Sequence, residues 1–487
     1  MATIPQNREL IKNLADLLEA HGKVFGQRRV YLRVVELVLA EVMAFGRHTV
    51  TQLLMVLGQN DEDWSGWYRL FSLRRFDEAA AAGVLVKETL KHVGPEEVYV
   101  VGIDGTQVPR CGRRIEGVGW LKNPRTPPFK PGIHRAQRWS NGSWLTPEEN
   151  GYSRAVPLRW LPAFTPKSRR KVTEPCKEWE AAVTFLTWLK TQLAQAGRAG
   201  QPVLMVGDGS YDTVDLWKNL PKNVILLARS AKNRVLHHLP PADAHGNRCY
   251  GERASTPQEL WHSHKGWHKI RLIIRGRERH LQYRVEGPFV RKGAPDTPLM
   301  LIIVRGQTYT RHGHRKARDP LPYLVNATLL PNGQPRCTGH NPARFLPSPA
   351  GQWALPLPID TLLFWAWQRW ELEVCHREIK SNFGLGHKQC WNPVAAVASV
   401  QWSAWVYSLL LLAGYRTWGL SQAPPVPTRW WRGSSRWSLN TLWRAYRAAL
   451  WGEHLFQPIR PSTPHNWLEN VAFLPAMSNA LYASARS

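Results

Sequence analysis

Val98-Tyr99-Val100-Val101-Gly102-Ile103-Asp104-Gly105-Thr106 decides how the rest of this chain reads. An unbroken apolar run, rich in β-branched residues, fits a strand buried on both faces. It stops on a carboxylate and a glycine. The pattern recurs at Pro202-Val203-Leu204-Met205-Val206-Gly207, which ends in Asp208-Gly209-Ser210-Tyr211. A third apolar run spans Asn223 to Ala228. Between the first two, Glu178 to Ala196 has the spacing of an amphipathic helix. Strands alternating with helices predict an α/β layer. Side chains at the C-terminal ends of such strands emerge at the sheet edge, where sites form. A carboxylate there is costly to shield unless something cationic binds it. Asp-Gly after a strand is also ordinary turn chemistry, so neither aspartate decides the matter alone.

A third carboxylate lies further on, in Phe364-Trp365-Ala366-Trp367-Gln368-Arg369-Trp370-Glu371-Leu372-Glu373. A long helix is expected from about Ile359 to Phe383. Arg369, Glu373 and Lys380 follow at i, i+4 and i+11, near one helical face. Glu371 sits about 200° and Glu378 about 140° around the helix from Glu373. Spacing selects Glu373. Two strand-end aspartates and a helical glutamate can hold two Mg²⁺ ions about 3.5–4 Å apart, as phosphodiester displacement requires. Mg²⁺ takes few protein carboxylates and keeps its other positions for water and phosphate. Arg369 and Lys380 would then hold DNA phosphates beside the metals. The plain alternative is an exposed Arg369–Glu373 pair worth about 0.3–0.5 kcal/mol.

The charge agrees with a polyanionic partner. The chain has 487 residues, with Lys+Arg 64, Asp+Glu 36 and a net charge of +28. Residues 1–100 hold 12 Lys/Arg against 13 Asp/Glu, and residues 391–487 hold 8 Arg against 2 Glu. The excess of +23 lies in residues 101–390, as expected if the folded middle itself grips phosphates.

The rest of the chain divides by texture. Residues 1–95 read as a helical domain, with Thr49 capping a short helix, Gly58 ending it and Asp61 or Asp63 capping the next. This is a helix-turn-helix outline, in which Arg69, Arg74 and Arg75 are candidate DNA contacts. Residues 96–228 hold the first part of the α/β core. Residues 107–150, rich in Pro, Gly and Arg, read as a loop with at most one short strand; His134 to Trp139, including Arg138, is a basic and aromatic candidate for DNA contact. Ala155 to Leu161 is a further strand, placed at an edge by Pro157. Lys167 and Arg169-Arg170-Lys171 form a basic turn. Residues 229–345 form a β-rich, antiparallel insertion, with strands at His268–Arg275, His280–Glu286 and Leu299–Val304. Residues 346–415 complete the core, and 416–487 are a basic Trp/Arg-rich C-terminal region.

Other classes are excluded by pattern. Met1 to Ala20 has no apolar signal core, which predicts a cytoplasmic protein. No charge occurs between Lys388 and Arg416, yet the polar residues in that stretch predict a buried helix rather than a membrane span. Six cysteines without a CxxC pair fit a reduced compartment. His262, His264 and His268 lack nearby Cys or carboxylate partners, and Cys337 with His340 is equally weak, so no zinc site is expected. Trp261 and Trp267 are sheet-face or core tryptophans, or platforms on which an unstacked base would lie.

At these residues the sequence resembles the DDE transposases of bacterial insertion sequences, which have a ribonuclease H-like catalytic core. That group carries a Tyr-x2-Arg-x3-Glu-x6-Lys signature, matched by Arg369, Glu373 and Lys380; Asp104 and Asp208 fit its two aspartates. The signature tyrosine is replaced by Ala366, which removes one phosphate contact rather than a metal ligand. The resemblance spans about residues 95–390. It implies an α/β ribonuclease H-like core interrupted by the antiparallel insertion, following the N-terminal helical domain. It implies an Mg²⁺-dependent transposase, with Mn²⁺ as a substitute, in which Asp104, Asp208 and Glu373 hold the metals. Cleavage at element ends by metal-activated water would be followed by attack of the freed 3′-hydroxyl on target DNA, without a covalent enzyme intermediate. The partners implied are double-stranded DNA, as element ends and as target, and a second copy of the chain on that DNA, near the nucleoid and away from membranes. A nuclease of the same fold without strand transfer, and an inactive DNA-binding descendant, are the competing readings.

Overall fold

The computed structural model describes residues 4–456, apart from 125, 128, 166–173, 241–248, 307, 312–313, 318, 331–335, 338–344, 347–352 and 425–435. The basic turn at Lys167 to Lys171, the side chains of Cys337 and His340, and much of the C-terminal region lie outside the described residues.

The chain opens with the helices α1 (Ile4–Ala20), α2 (Arg28–Met43), α3 (Val50–Val56), α4 (Ser65–Ser72) and α5 (Glu78–Leu90). Thr49 caps α3 by accepting a hydrogen bond from the Gln52 amide at 3.2 Å. Gly58 turns the chain at φ 73°. The Asp63 carboxylate accepts from the Ser65 amide at 2.8 Å, at the start of α4.

The strands follow: β1 (Tyr99–Pro109), β2 (Gly119–Lys122), β3 (Ile133–Leu145) and β4 (Ala155–Pro162), then helix α6 (Glu178–Gln195) and β5 (Val203–Gly207). Next come α7 (Val214–Lys218), β6 (Val224–Arg229), β7 (His237–His238) and α8 (Pro257–His262). After these run β8 (His268–Ile274), β9 (Arg277–Arg291), β10 (Ala294–Val304), β11 (Thr308–Arg311), β12 (His314–Ala317) and β13 (Leu321–Asn326). The helices α9 (Ile359–Gln368), α10 (Trp370–Ser381), α11 (Pro393–Trp418) and α12 (Leu439–Phe456) close the fold.

One mixed sheet runs β2-β3-β1-β5-β6-β13-β10-β9-β7, with β4 on β3 and β8 on β9. β1, β5 and β6 are parallel. β13 pairs antiparallel with β6, so β13, β10, β9, β8 and β7 continue the central sheet, while β11 and β12 pair with each other apart from it. β3 is longer than composition suggests. It pairs with β1 from Val101↔Trp144 to Pro109↔Ala136, and that pairing overrides weak local propensity. Pro157 lies on the edge strand β4, beside a register irregularity at Gly142/Ser143. The helix expected over 359–383 is broken at Arg369 into α9 and α10.

Helix α11 starts at Asn392, whose side chain accepts from the Ala395 amide. It is long and apolar enough to cross a membrane by length and composition, and 83% of its most apolar window is buried inside the fold. α1, α4, α5, α12 and β4 pack around it, so the N-terminal helices and the sheet share one core. A buried polar knot ties them. Lys388 Nζ lies 2.7 Å from Glu41 Oε1, and His48 Nδ1 lies 2.6 Å from Glu41 Oε2. Trp402 Nε1 donates to Glu41 Oε1 at 3.1 Å, and Lys388 also donates to Ser403 Oγ at 3.1 Å. Burial pushes Glu41 upward, but Lys388 and His48 outweigh it and hold the carboxyl at about 2.

Candidate active site

The register of two parallel strands builds the floor of the site. Ile103 of β1 lies beside Gly207 of β5. The next residue of each strand path is an aspartate, so Asp104 and Asp208 lie about 5 Å apart across the backbone. Asp208 follows the end of β5, but Asp104 is not the expected strand end: β1 runs on to Pro109, because β3 keeps pairing with it after the parallel pairing with β5 stops at Ile103. Ser210 holds Asp208 in place: its amide donates to Oδ1 at 2.8 Å and its hydroxyl at 2.6 Å. α10 crosses above β1. A side chain at Gly102 would put its Cβ 2.8 Å from Leu372 Cδ1, so glycine there lets the helix sit close. Glu373 follows Leu372 and reaches the same space.

Asp104, Asp208, Glu373 and Arg369 line one open cavity of about 380 Å³, together with Arg229, Ser230 and Arg234. Glu371 and Glu378 do not line it. Glu378 is buried against Arg154 and accepts from the Tyr407 hydroxyl at 2.7 Å. Glu371 lies 3.6 Å from Arg275. Burial, then the charge of Asp208, pushes Asp104 up to about 7; Glu373 adds to this and Arg369 opposes it. The donors are all carboxylate oxygens, the set a hard divalent cation prefers. Mutual repulsion at Asp104 is what such a set shows without a cation to neutralise it. Among the described residues, no group of three His, Cys, Asp or Glu is already gathered for a metal. Glu373 is instead paired with the Arg369 guanidinium one turn earlier.

A supporting shell fixes the acids. Asn141 of β3 lies opposite Asp104. Its amide nitrogen is 3.2 Å from His376 Nε2, and its carbonyl accepts from the Ser143 hydroxyl at 3.2 Å. An amide nitrogen only donates, so this assignment puts the imidazole proton on Nδ1. Nδ1 faces Asp104 Oδ2 at 3.6 Å. Burial, then Lys380 and Arg369, lowers His376 to about 3, so the ring is neutral. Lys380 donates to the Thr106 hydroxyl, two residues past Asp104 on β1. Buried Asp212 clamps Arg234 at 2.7 Å and Arg291 at 2.6 Å, and accepts from the Ser230 hydroxyl at 2.7 Å.

The other sequence candidates lie elsewhere. Arg138 pairs with Glu178 at 2.7 Å, where α6 begins; Glu178 in turn lies close enough to Asp208 to feel its charge. Trp267 donates to the Ser263 carbonyl at 2.8 Å and lies under the Arg305 guanidinium at 5.3 Å. Arg69 lies on α4, with Arg74 and Arg75 just after it, and none of the three lines the cavity. Arg229, Arg234, His376 and Asn141 were not singled out from the sequence. Arg229 had a usable signal: it ends an apolar strand beside β5, by the logic that marks Asp104 and Asp208. The other three are brought in by tertiary pairing and had none.

A family model described as DDE superfamily endonuclease matches residues 24–283, more than half of the chain. The match takes in Asp104 and Asp208 and ends before the helix that carries Glu373. No curated protein matches the sequence.

Proposed function

The chain belongs to the DDE superfamily endonucleases, and on that footing we propose that it is a transposase that cuts donor DNA at insertion-sequence ends and joins them to target DNA. One observation carries the reading: an aspartate inside β1, an aspartate just past β5, a helical glutamate and three arginines share one cavity in a chain of net charge +28. Asp104, Asp208 and Glu373 are the residues that would hold divalent metal, Mg²⁺ or Mn²⁺. A bound pair of such ions supplies an activated water and steadies the leaving oxygen of a phosphodiester.

The protein's own groups do the rest. Arg369 pairs with Glu373 and neutralises it. Release of that pair frees the carboxylate for metal and the guanidinium for a DNA phosphate. Arg229 and Arg234 add positive charge to the cavity lining, and Asp212 holds Arg234 in position. His376 and Asn141 orient Asp104. Lys380 fixes α10 to β1 beyond it. We further propose that two copies of the chain act on paired ends, in the cytoplasm close to the nucleoid.

The test uses purified protein, a duplex carrying the element's end sequence, a target plasmid and Mg²⁺. Cutting and joining are expected. Asp104→Ala, Asp208→Ala and Glu373→Ala should each abolish cutting while end binding persists; full cutting by any one of them sinks the assignment. Cutting without joining would identify an endonuclease lacking strand transfer. Binding without cutting, in Mg²⁺ and in Mn²⁺, would identify an inactive descendant.

A further inference from the structure

Two cavities beside the α9–α10 bend share Leu281, Arg305 and Gly306, and so form one groove. The first, about 740 Å³, runs along the β8–β9 hairpin past Lys269 and Arg271. The second, about 540 Å³, passes Arg275 and Arg279 and ends at Trp367 and Trp370 of the α9–α10 bend. Trp370 directly follows Arg369, which lines the catalytic cavity. The groove therefore ends at a residue that adjoins, along the chain, one lining the site.

Its lining is cationic and weakly neutralised. Lys269 and Arg279 have no carboxylate partner among the described residues. Arg271 reaches Glu278 only at 3.9 Å, and Arg275 reaches Glu371 only at 3.6 Å. The Arg271–Glu278 pair is exposed on both sides, and a pair this long contributes little and yields easily to a phosphate; Glu371 is buried, and only its Arg275 partner is open to solvent. Asp319 is the acid in the lining. Lys269 and Arg271 project from one face of β8, about 7 Å apart. At the catalytic end, Trp370 is 45% exposed, with the Arg275 guanidinium 5.8 Å over its ring. A row of cations ending in an exposed indole face matches what a single strand offers: phosphates along its length and bare base faces. A duplex keeps those faces stacked inside.

We propose that this groove binds unpaired single-stranded DNA, with phosphates on Lys269, Arg271, Arg275, Arg279 and Arg305 and one base stacked on Trp370. The proposal rests on the DNA-cutting reading and adds to it a path for a strand that is no longer paired beside the acids.

The test is fluorescence anisotropy of the full chain with a labelled 20-nucleotide single strand, and separately its duplex, in EDTA across a range of salt. Trp370→Ala should weaken single-strand binding about tenfold or more and duplex binding less than twofold. Trp370→Tyr, which keeps a ring, should recover most of the loss. Lys269→Gln with Arg279→Gln should lower the salt slope for the single strand by about 1.4, two phosphate contacts' worth. All three positions are at the surface, and unchanged thermal melting would report intact folding. Unchanged single-strand affinity and slope in these variants overturns the groove, as does an equal loss for duplex. If the wild type still cuts end-bearing duplex in Mg²⁺, only the groove falls. If selective loss of the single strand is seen and no condition gives cutting, the groove stands and the catalytic reading falls.

Discussion

Replacing Asp104 by asparagine should stabilise the metal-free protein at alkaline pH while removing its cutting activity. Asparagine keeps the shape and cannot ionise. Asp104 loses its proton near 7 instead of the usual 3.8, because it is buried beside Asp208. The sign follows from linkage. Below pH 3.8 both folded and unfolded chains carry the proton, and the group costs nothing. Between 3.8 and about 7 the unfolded chain ionises first, so stability falls as pH rises. Above 7 the loss is complete. About three pH decades at roughly 1.4 kcal/mol each give about 4 kcal/mol. The side chain is only 15% exposed, so solvent screens little of this. Urea unfolding in EDTA would follow the wild type and Asp104→Asn from about pH 4 to pH 8.5, a span set by that linkage. The two should nearly coincide at the acid end and separate by up to about 4 kcal/mol at the alkaline end, the variant being the more stable. Adding Mg²⁺ should narrow the gap by stabilising the wild type alone. A difference that does not change with pH, or a variant less stable at pH 8.5, refutes the claim that Asp104 sits in uncompensated negative charge.

Gly102→Ala would drive a methyl group to 2.8 Å from Leu372 Cδ1; the expected cost is about 1–3 kcal/mol in denaturant unfolding. The resulting shift of α10 should slow cutting more than tenfold with little change in DNA affinity. Lys388→Ala leaves the Glu41 charge buried and should cost about 3–5 kcal/mol, whereas Lys388→Met combined with Glu41→Leu should recover most of it in the same assay. His376→Ala should weaken Mn²⁺ binding about 10–100-fold by calorimetry, and His376→Gln, which keeps a donor, should restore part of it.

The elements that stand on strong local pattern were legible before any coordinates. The buried strands around Val98–Ile103, Val203–Gly207 and Val224–Ala228, and helix α6, declare themselves by composition and period. So does the buried run in α11, which lacks charge but keeps Ser399, Ser403 and Ser408. Their hydroxyls are buried too, and those of Ser403 and Ser408 bond the backbone one turn earlier. What was not legible depends on long-range pairing. β3 looks like a loop until β1 lies beside it. β13 could not be assigned to β6 from sequence, because Leu324↔Ala228 joins residues almost a hundred positions apart. The break at Arg369 is hidden inside a continuous helical pattern. Asp208 and Glu373 were picked out by a strand end and by helical spacing, and with Asp104 they line one cavity; Asp104 was picked out as a strand end although β1 continues past it to Pro109. Arg234 was not, because its place beside them comes from a buried clamp on Asp212.

The continuity of the sheet has a mechanical side. β8 is bonded to β9, β9 to β10, β10 to β13, and β13 to β6, whose last residue is Arg229 at the cavity wall. Such a ladder is stiff across its strands. A load applied at the β8–β9 hairpin is carried to the wall of the acid-lined cavity instead of being absorbed by a hinge. Anything that pulls on that outer hairpin is therefore felt at Arg229, in the wall of the cavity that Asp104, Asp208 and Glu373 line.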